Sequence, residues 1–273
     1  MFDHGSVRKK HVITLIKLGG SLITDKLTPS AFREEAAESV AVQIARHVSE
    51  HPQSQLIAGH GSGSFGHVVA RRYNTKNGVG TPAEWRGFTE VAAAAAELNA
   101  LMIHVFQRHG LPAMRFQPSA TAVSRRGEII RMELAPLKAA LRNGILPVVY
   151  GDVCFDTELG GTITSTETIF MYLAAVLPVE RIFLLGEVDG VYDQAGSVIS
   201  RITPSNLAAV EQALGGSAGV DVTGGMESKV RDMVALAQAK TGLQIRIFNG
   251  KTPDLLLETL AGRAEPGTLI TAD

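Results

Sequence analysis

One cysteine in 273 residues, Cys154, leaves no partner for an internal disulfide. It lies in an apolar, strand-like run, which predicts a buried thiol in a reducing compartment and no nucleophilic role. An excess of charge of one sign is lacking too. The 26 Lys and Arg against 27 Asp and Glu give a formal net charge of −1, so there is no basic field to hold a phosphodiester backbone, and no nucleic-acid partner is expected. No apolar stretch approaches the length of a membrane span, and residues 1–11 are polar and basic without the apolar core of a secretion signal. The expectation is a soluble, cytoplasmic protein with a frayed start and no membrane partner. Walker and protein-kinase signatures are absent: residues 20–26 and 224–229 both miss the Walker spacing. No internal repeat or low-complexity linker divides the chain. Its length and 45% hydrophobic content suffice for one large α/β domain or two small ones.

What is present centres on Gly59-His60-Gly61-Ser62-Gly63-Ser64-Phe65-Gly66-His67. An apolar run, Leu56-Ile57-Ala58, precedes it and a helical pattern (Val68, Val69, Arg72, Tyr73) follows, so it reads as strand, glycine turn, helix. Glycines let the backbone pass close to a ligand, and a helix start offers free N–H groups and a positive dipole end to a phosphate. Gly61-x-Gly63-x-x-Gly66 also fits the dinucleotide fingerprint, but Glu84, near the expected acidic position, sits in a helix start after Thr81-Pro82. Taken alone, a tight turn is an equally good reading.

Residues 12–18 form a β-branched run ending in Gly19-Gly20-Ser21, a buried first strand that delivers Lys17 to a glycine turn. A cation there needs an anionic partner, because an unpaired buried charge is expensive; a snorkelling edge lysine is the alternative. Asp25-Lys26 follows on a loop. Helical patterns cover about 31–50, 82–109 and 133–142, and residues 111–116 and 145–150 read as strands, the second ending in Gly151-Asp152. Gly160-Gly161 predicts a hairpin with Cys154-Phe155 on one arm and Thr162-Ile163-Thr164 on the other. Ser165-Thr166-Glu167-Thr168 then caps a helix reaching about Leu177. A strand over 181–185 leads to Gly186-Glu187-Val188-Asp189-Gly190, whose acids either reach a ribose or base or cap a turn. After a helix near 204–214, Asp221-Val222-Thr223-Gly224-Gly225-Met226-Glu227-Ser228-Lys229 is a second glycine turn opening a helix. A strand over 244–248 ends in Asn249-Gly250, and a short helix and a strand over 268–270 close the chain.

Alternating strands and helices argue a mainly parallel sheet covered on both faces, with ligands gathered at the carboxyl ends of the strands. Lys17, residues 59–67, Asp152, Glu187, Asp189 and Asn249 all follow strands, so one rim can hold them. Two glycine turns, each with a nearby lysine, suggest a site for several phosphate groups, and phosphoryl transfer needs mainly positioning and cations.

The chain resembles the amino acid kinase family over essentially its whole length, and within it the isopentenyl phosphate kinases. The carrying motifs are Leu15-Ile16-Lys17-Leu18-Gly19-Gly20-Ser21 with Asp25-Lys26, the run from Gly61 to His67, Gln117-Pro118-Ser119, residues 147–152, Val188-Asp189-Gly190-Val191-Tyr192, and Asp221-Val222-Thr223-Gly224-Gly225-Met226 with Lys229. The resemblance implies an αβα sandwich in one domain, with an acceptor-binding half at about 12–155 and a nucleotide-binding half at about 160–273. It also implies a homodimer and ATP-dependent conversion of isopentenyl phosphate to isopentenyl diphosphate in isoprenoid biosynthesis, with Mg2+ carried by the nucleotide. Lys17 would bridge the transferring phosphoryl group, Lys26 and Lys229 would hold ATP phosphates, and the Gly19-Gly20 and Gly61-to-Gly63 turns would supply N–H donors. Gly224, Gly225, Glu187 and Asp189 would complete the ATP site. The acceptor would meet Gly61, Ser62, Gly63, His67, Gly151 and Asp152, with Phe88 and Ala95 along its hydrocarbon tail. His67, matching the histidine that ends the family's glycine motif, would bond the acceptor phosphate, whereas His60 reads as structural. Ala92, Ala95 and Ala96 share a helical face that either leaves an apolar channel or is filled by a neighbour. Two departures from the family pattern stand out. Glu167 takes the place of the aspartate that orients the catalytic lysines, within Ser165-Thr166-Glu167-Thr168 where Ser-Gly-Asp-Asp is usual, and Glu187 opens the segment where Thr-Asp-Val-Asp-Gly is common. A fosfomycin-type kinase and a non-catalytic nucleotide-binding protein are the alternatives.

Overall fold

Along β1 (Ile13–Leu18) successive side chains enter two different cores: Ile13 and Leu15 face one, Ile16 and Leu18 the other, as a strand buried on both faces requires. The computed structural model describes residues 12–25, 27–214 and 225–273. In chain order β1 is followed by α1 (Gly20–Ile23), α2 (Glu34–Glu50), β2 (Gln55–His60), α3 (Gly63–Tyr73), α4 (Pro82–Arg108), β3 (Ala113–Arg115), α5 (Pro118–Thr121), β4 (Ala122–Arg125), β5 (Glu128–Met132), α6 (Ala135–Arg142), β6 (Leu146–Tyr150), β7 (Asp152–Asp156), β8 (Gly160–Thr164), α7 (Thr166–Val176), β9 (Val179–Gly186), β10 (Arg201–Ile202), α8 (Leu207–Leu214), α9 (Gly225–Ala239), β11 (Gln244–Asn249), α10 (Leu255–Leu260) and β12 (Thr268–Ile270). An eight-stranded sheet runs β10-β12-β11-β9-β1-β2-β6-β3, with every neighbouring pair parallel except β11 with β12. One core holds the inner faces of α7 and α9, and the other those of α2, α4 and α10. The mainly parallel sheet covered on both faces is therefore the architecture present.

Strand parity places the key side chain. Lys17 shares its face of β1 with Ile13 and Leu15, so it points toward the layer of α7 and α9. The glycine turns continue on the opposite side, where Leu22, Ile23 and Phe65 join the second core.

Three sequence expectations change. First, a four-stranded sheet, β5-β4-β7-β8, stands beside the main one; β7 and β8 form the expected hairpin with Cys154 opposite Thr162, but β4 and β5 had no reading. Second, α3 begins at Gly63 and not after His67, so the glycine turn itself forms the first helical turn. Third, α4 is by length and apolar character alone enough to cross a membrane, contrary to the expectation that no such stretch exists. It is built as a core helix. Thr81 and Glu84 close a capping box at its start, and Phe88, Val91, Ala95, Leu98, Met102 and Phe106 line its buried face. Cys154 is buried, and burial pushes its thiol pKa up, away from nucleophilic use. Residues 1–11, expected to fray, lie outside the described residues.

Candidate active site

At the ends of β1 and β2 two backbone turns clasp each other. A Cβ added at Gly20 would lie 2.8 Å from both N and Cα of Gly63, so no larger residue fits without parting the turns. Gly63 is held at φ +49°, a left-handed conformation that glycine adopts without strain. Thr24 ties the clasp: its Oγ1 donates to Gly20 O at 2.7 Å and accepts from Ser64 N at 3.0 Å. The amides of Gly19 and Gly61, expected to face phosphate, instead donate to Leu185 O (2.8 Å) and Leu18 O (3.1 Å), because both residues continue the sheet's hydrogen bonding past the strand ends. The amides of Gly20, Ser62 and Gly63 donate to no acceptor among the described residues, which makes these three the donors on offer.

Lys17 Nζ donates to Glu167 Oε1 between side chains only 12% and 13% exposed. Ser165 caps α7, its Oγ accepting from Thr168 N at 3.0 Å, and this sets Glu167 in the first turn. Burial pushes the Glu167 carboxyl up, but the charges of Lys17 and Lys229 outweigh it and hold the group below the usual carboxylate range. Lys229, on α9, is thus brought to the same carboxylate as Lys17. Thr166, where the family pattern has glycine, donates from Oγ1 to His60 O at 2.6 Å and so pins α7 to the end of β2.

Gly151 also donates to His60 O, at 3.0 Å. Asp152 is 1% exposed and turned inward, accepting from Ser119 N (3.1 Å) and Val153 N (2.8 Å); burial drives its carboxyl up. It anchors α5 behind the rim. His67 lies on α3 and is exposed. Phe88 and Ala95 are 4% and 1% exposed. Ala92 joins Val69 and Ala70 of α3 around Phe88 and Val91, so a neighbouring helix packs against this part of the alanine face.

On the far side of β1 the ends of β9 and β11 carry an ionic cluster. Glu187 Oε1 accepts from Arg33 Nη1 and Lys251 Nζ, each at 2.6 Å, and Arg33 also donates to Ser21 O at 3.0 Å. Burial raises the Glu187 carboxyl, but the bonds from Lys251 and Arg33 lower it further. Asp189 Oδ1 accepts from Asn249 Nδ2 at 2.9 Å. Gly225 opens α9, whereas Lys26 and Gly224 lie outside the described residues. Sequence reasoning missed Thr24, Arg33, Lys251 and Thr166. Each looks ordinary in the sequence, and only its long-range partner marks it.

The site thus gathers lysines, one buried carboxylate and free amides at one rim, a set suited to steadying transferable phosphate. The family model described as the amino acid kinase family matches residues 12–249. The isopentenyl phosphate kinase of Methanocaldococcus jannaschii is 31% identical over 260 residues, covering 93% of this chain and 97% of that protein. That of Haloferax volcanii is 32% identical over 261 residues, covering 96% and 99%. A solved isopentenyl phosphate kinase superposes with a TM-score of 0.80 at 28% identity, covering 95% of this chain and 100% of that one. The T. acidophilum isopentenyl phosphate kinase product complex shares the fold, with a TM-score of 0.75 at 23% identity over 95% of this chain and 100% of that one. The chain belongs to the amino acid kinase family.

Proposed function

We propose that the chain phosphorylates isopentenyl phosphate to isopentenyl diphosphate with ATP. The observation that carries this reading is the Lys17–Glu167 pair, buried at the rim beside the clasped glycine turns, in a chain whose relatives of that activity match it nearly end to end. Bound ATP supplies the phosphoryl group, and magnesium bound to its phosphates screens their charge. Lys17 neutralises charge on the group in transfer, and Glu167 keeps the ammonium aimed there. Lys229, with Lys26, holds the nucleotide phosphates. The amides of Gly20, Ser62 and Gly63 meet phosphate oxygens, and His67 donates to the acceptor phosphate, which distinguishes it from a carboxylate. Glu187 and Asp189 bound the nucleotide side. A cytoplasmic homodimer acting without nucleic acid or membrane completes the reading, and light scattering in solution tests the dimer.

A coupled ADP-release assay offering isopentenyl phosphate, fosfomycin and uridine monophosphate separately tests the reaction. Turnover is expected with the first; preference for fosfomycin, or no ADP release with any of them, overturns the reading. His67→Ala should cut turnover by roughly 30- to 1000-fold, the effect of losing one charge-assisted bond worth about 2–4 kcal/mol at the reacting group, with ATP affinity intact. His67→Gln should retain part of the rate. Wild-type rates in both variants would remove His67 from the site.

A further inference from the structure

His60 lies beneath the phosphate-binding turn, 1% exposed at the end of β2. Its ring Nδ1 is 3.0 Å from Gly61 O and its Nε2 is 3.0 Å from Asn99 Nδ2 on α4. The ring stacks on Tyr150, with centroids 5.7 Å apart and planes 9° from parallel. A carbonyl can only accept, so Nδ1 must carry a proton and donate to Gly61 O. Burial keeps the ring neutral, its pKa lowered to about 4, and the nearby Lys17 charge opposes protonation further. Nε2 is therefore bare and accepts from the Asn99 amide.

Asn99 is out of place on energetic grounds. It is fully buried on a helix face otherwise made of Val91, Ala95, Leu98 and Met102, and its Oδ1 has no partner among the described residues. An apolar side chain would avoid that orphaned acceptor. What the asparagine supplies is its N–H to His60.

We propose that Asn99 and His60 form a positioning relay: Asn99 anchors the His60 ring by its bare Nε2, and the Nδ1–H holds the Gly61 carbonyl so that the Ser62 amide faces the acceptor phosphate. Peptide planarity supplies the last link, because Gly61 C=O and Ser62 N–H belong to one rigid unit and point in opposite directions. Holding the oxygen inward aims the N–H outward. Without the Asn99 donor Nε2 has no partner, the ring loses its anchor on the side away from Gly61, and its hold on the Gly61 carbonyl loosens. The relay rests on the acceptor site proposed above; both histidine and asparagine act through Ser62 and touch no substrate.

Asn99→Leu and Asn99→Asp test it, with melting temperature confirming that each variant folds. The leucine variant should lose about 10- to 100-fold in kcat/KM for isopentenyl phosphate with the KM for ATP unchanged, and the backbone 15N shift of Ser62 should move as its peptide loosens. In the aspartate variant the carboxylate keeps the ring doubly protonated, so Nδ1–H is retained and activity is recovered. That recovery should vanish as pH rises through the raised imidazole pKa, an alkaline limb that the wild type lacks. Tyr150 and Lys17 face the ring unchanged in every variant. Wild-type kinetics in Asn99→Leu, or a pH profile of Asn99→Asp parallel to wild type, overturns the relay. The 15N spectra need no substrate, so a wild type inactive on isopentenyl phosphate defeats the proposed function alone, while an unchanged Ser62 amide in Asn99→Leu defeats the relay.

Discussion

The proposed acceptor wall of the rim, built on the ends of β1, β2 and β6, and the proposed nucleotide wall, built on β9 and β11, are fixed by different means. On the first, backbone meets backbone at Gly20 and Gly63, and the neutral bonds of His60, Thr24 and Thr166 are buried. On the second, Glu187 holds Arg33 and Lys251 with the three side chains 31%, 36% and 47% exposed. Buried neutral contacts define one geometry and ignore salt; exposed ion pairs contribute little and exchange readily for other ions. A phosphorus atom must be met at a fixed point, whereas a polyanion must be admitted and released. Lys17 and Glu167 stand between the two walls.

The largest effect should come from that junction. Lys17→Ala removes the cation proposed to lie nearest the transferring group, and a loss of about 3–4 kcal/mol, roughly 150- to 900-fold in turnover, is expected. It also strands Glu167 in a pocket that leaves it 13% exposed, so the melting temperature should fall as well. Because the folded Glu167 pKa is depressed, the pair's stabilisation is present above the unfolded value of 4.5 and lost as pH falls through the folded one. Glu167→Gln keeps the shape and removes the charge. An unchanged maximal rate in that variant would reduce Glu167 to a helix-capping acid and leave the two walls without a common element.

Acid should separate the walls next. Burial lowers the pKa of His60 to about 4 from 6.5, and that of His47, 3% exposed at the end of α2, likewise. Each ring binds its proton more readily unfolded than folded, so each contributes stability that is full above 6.5 and lost as pH falls toward 4, up to about 3 kcal/mol apiece. Glu187 and its partners survive through that window, since its pKa is depressed below 4.5. Urea unfolding at pH 7, 5.5 and 4.5 should show the decline, and His47→Gln should remove one share of it. Phosphate-acceptor binding should fail before ATP binding; the reverse order would contradict the difference between the walls.

How far the sequence announced this site depends on the range of the interaction. Lys17 at the end of a β-branched strand called for an anion and Glu167 was legible as an acid in a capped first turn, since both signals are local, whereas their pairing came from the family resemblance. The parallel sheet and the β7–β8 hairpin followed from alternation and from Gly160-Gly161. The β4–β5 hairpin gave no such signal. It turns at Arg126-Gly127, φ +53° and +84°, with no Asn-Gly or Asp-Gly pair. Its turn is held by Asp156, whose carboxylate accepts from Arg126 N (3.1 Å) and Gly127 N (2.8 Å) thirty and twenty-nine residues earlier in the chain. The helix start at Gly63 was hidden for a related reason: glycine is a poor helix former, and only the contact with Gly20 and Thr24 explains one there. Arg33 and Lys251 carried no signal in the sequence because their shared partner lies 154 and 64 residues away.

Glycine substitution should sharpen the comparison at smaller cost. Gly20→Ala drives a methyl to 2.8 Å from Gly63, and nothing but backbone can give way, so a loss of about 2 kcal/mol is expected together with a weakened acceptor site. Gly186→Ala, on the nucleotide wall, places its methyl at an ordinary 3.9 Å from Val188 and should change the melting temperature by less than about 1 °C, within the range of a surface change. Equal losses at both positions would show that close backbone approach is not special to the acceptor wall.

The smallest effects belong to Arg33 and Lys251. Either alanine variant leaves Glu187 one cation, so the carboxylate stays paired, and at these exposures the lost ion pair is worth about 0.5–1 kcal/mol. Arg33→Ala should cost more than Lys251→Ala, because it also releases the bond to Ser21 O at the start of α1, beside Gly20. Salt provides the decisive comparison. Raising ionic strength from 0.15 to 1 M shortens the screening length from about 8 to 3 Å, which should erase most of the difference between each variant and the wild type. The same salt should leave the Gly20→Ala and Asn99→Leu losses untouched, since no charge is involved in either. Denaturant midpoints at the two salt concentrations, with the Arg33–Lys251 double variant closing the cycle, measure this directly. A cost above about 2 kcal/mol that persists in salt would mean that the nucleotide wall, too, is held by rigid geometry.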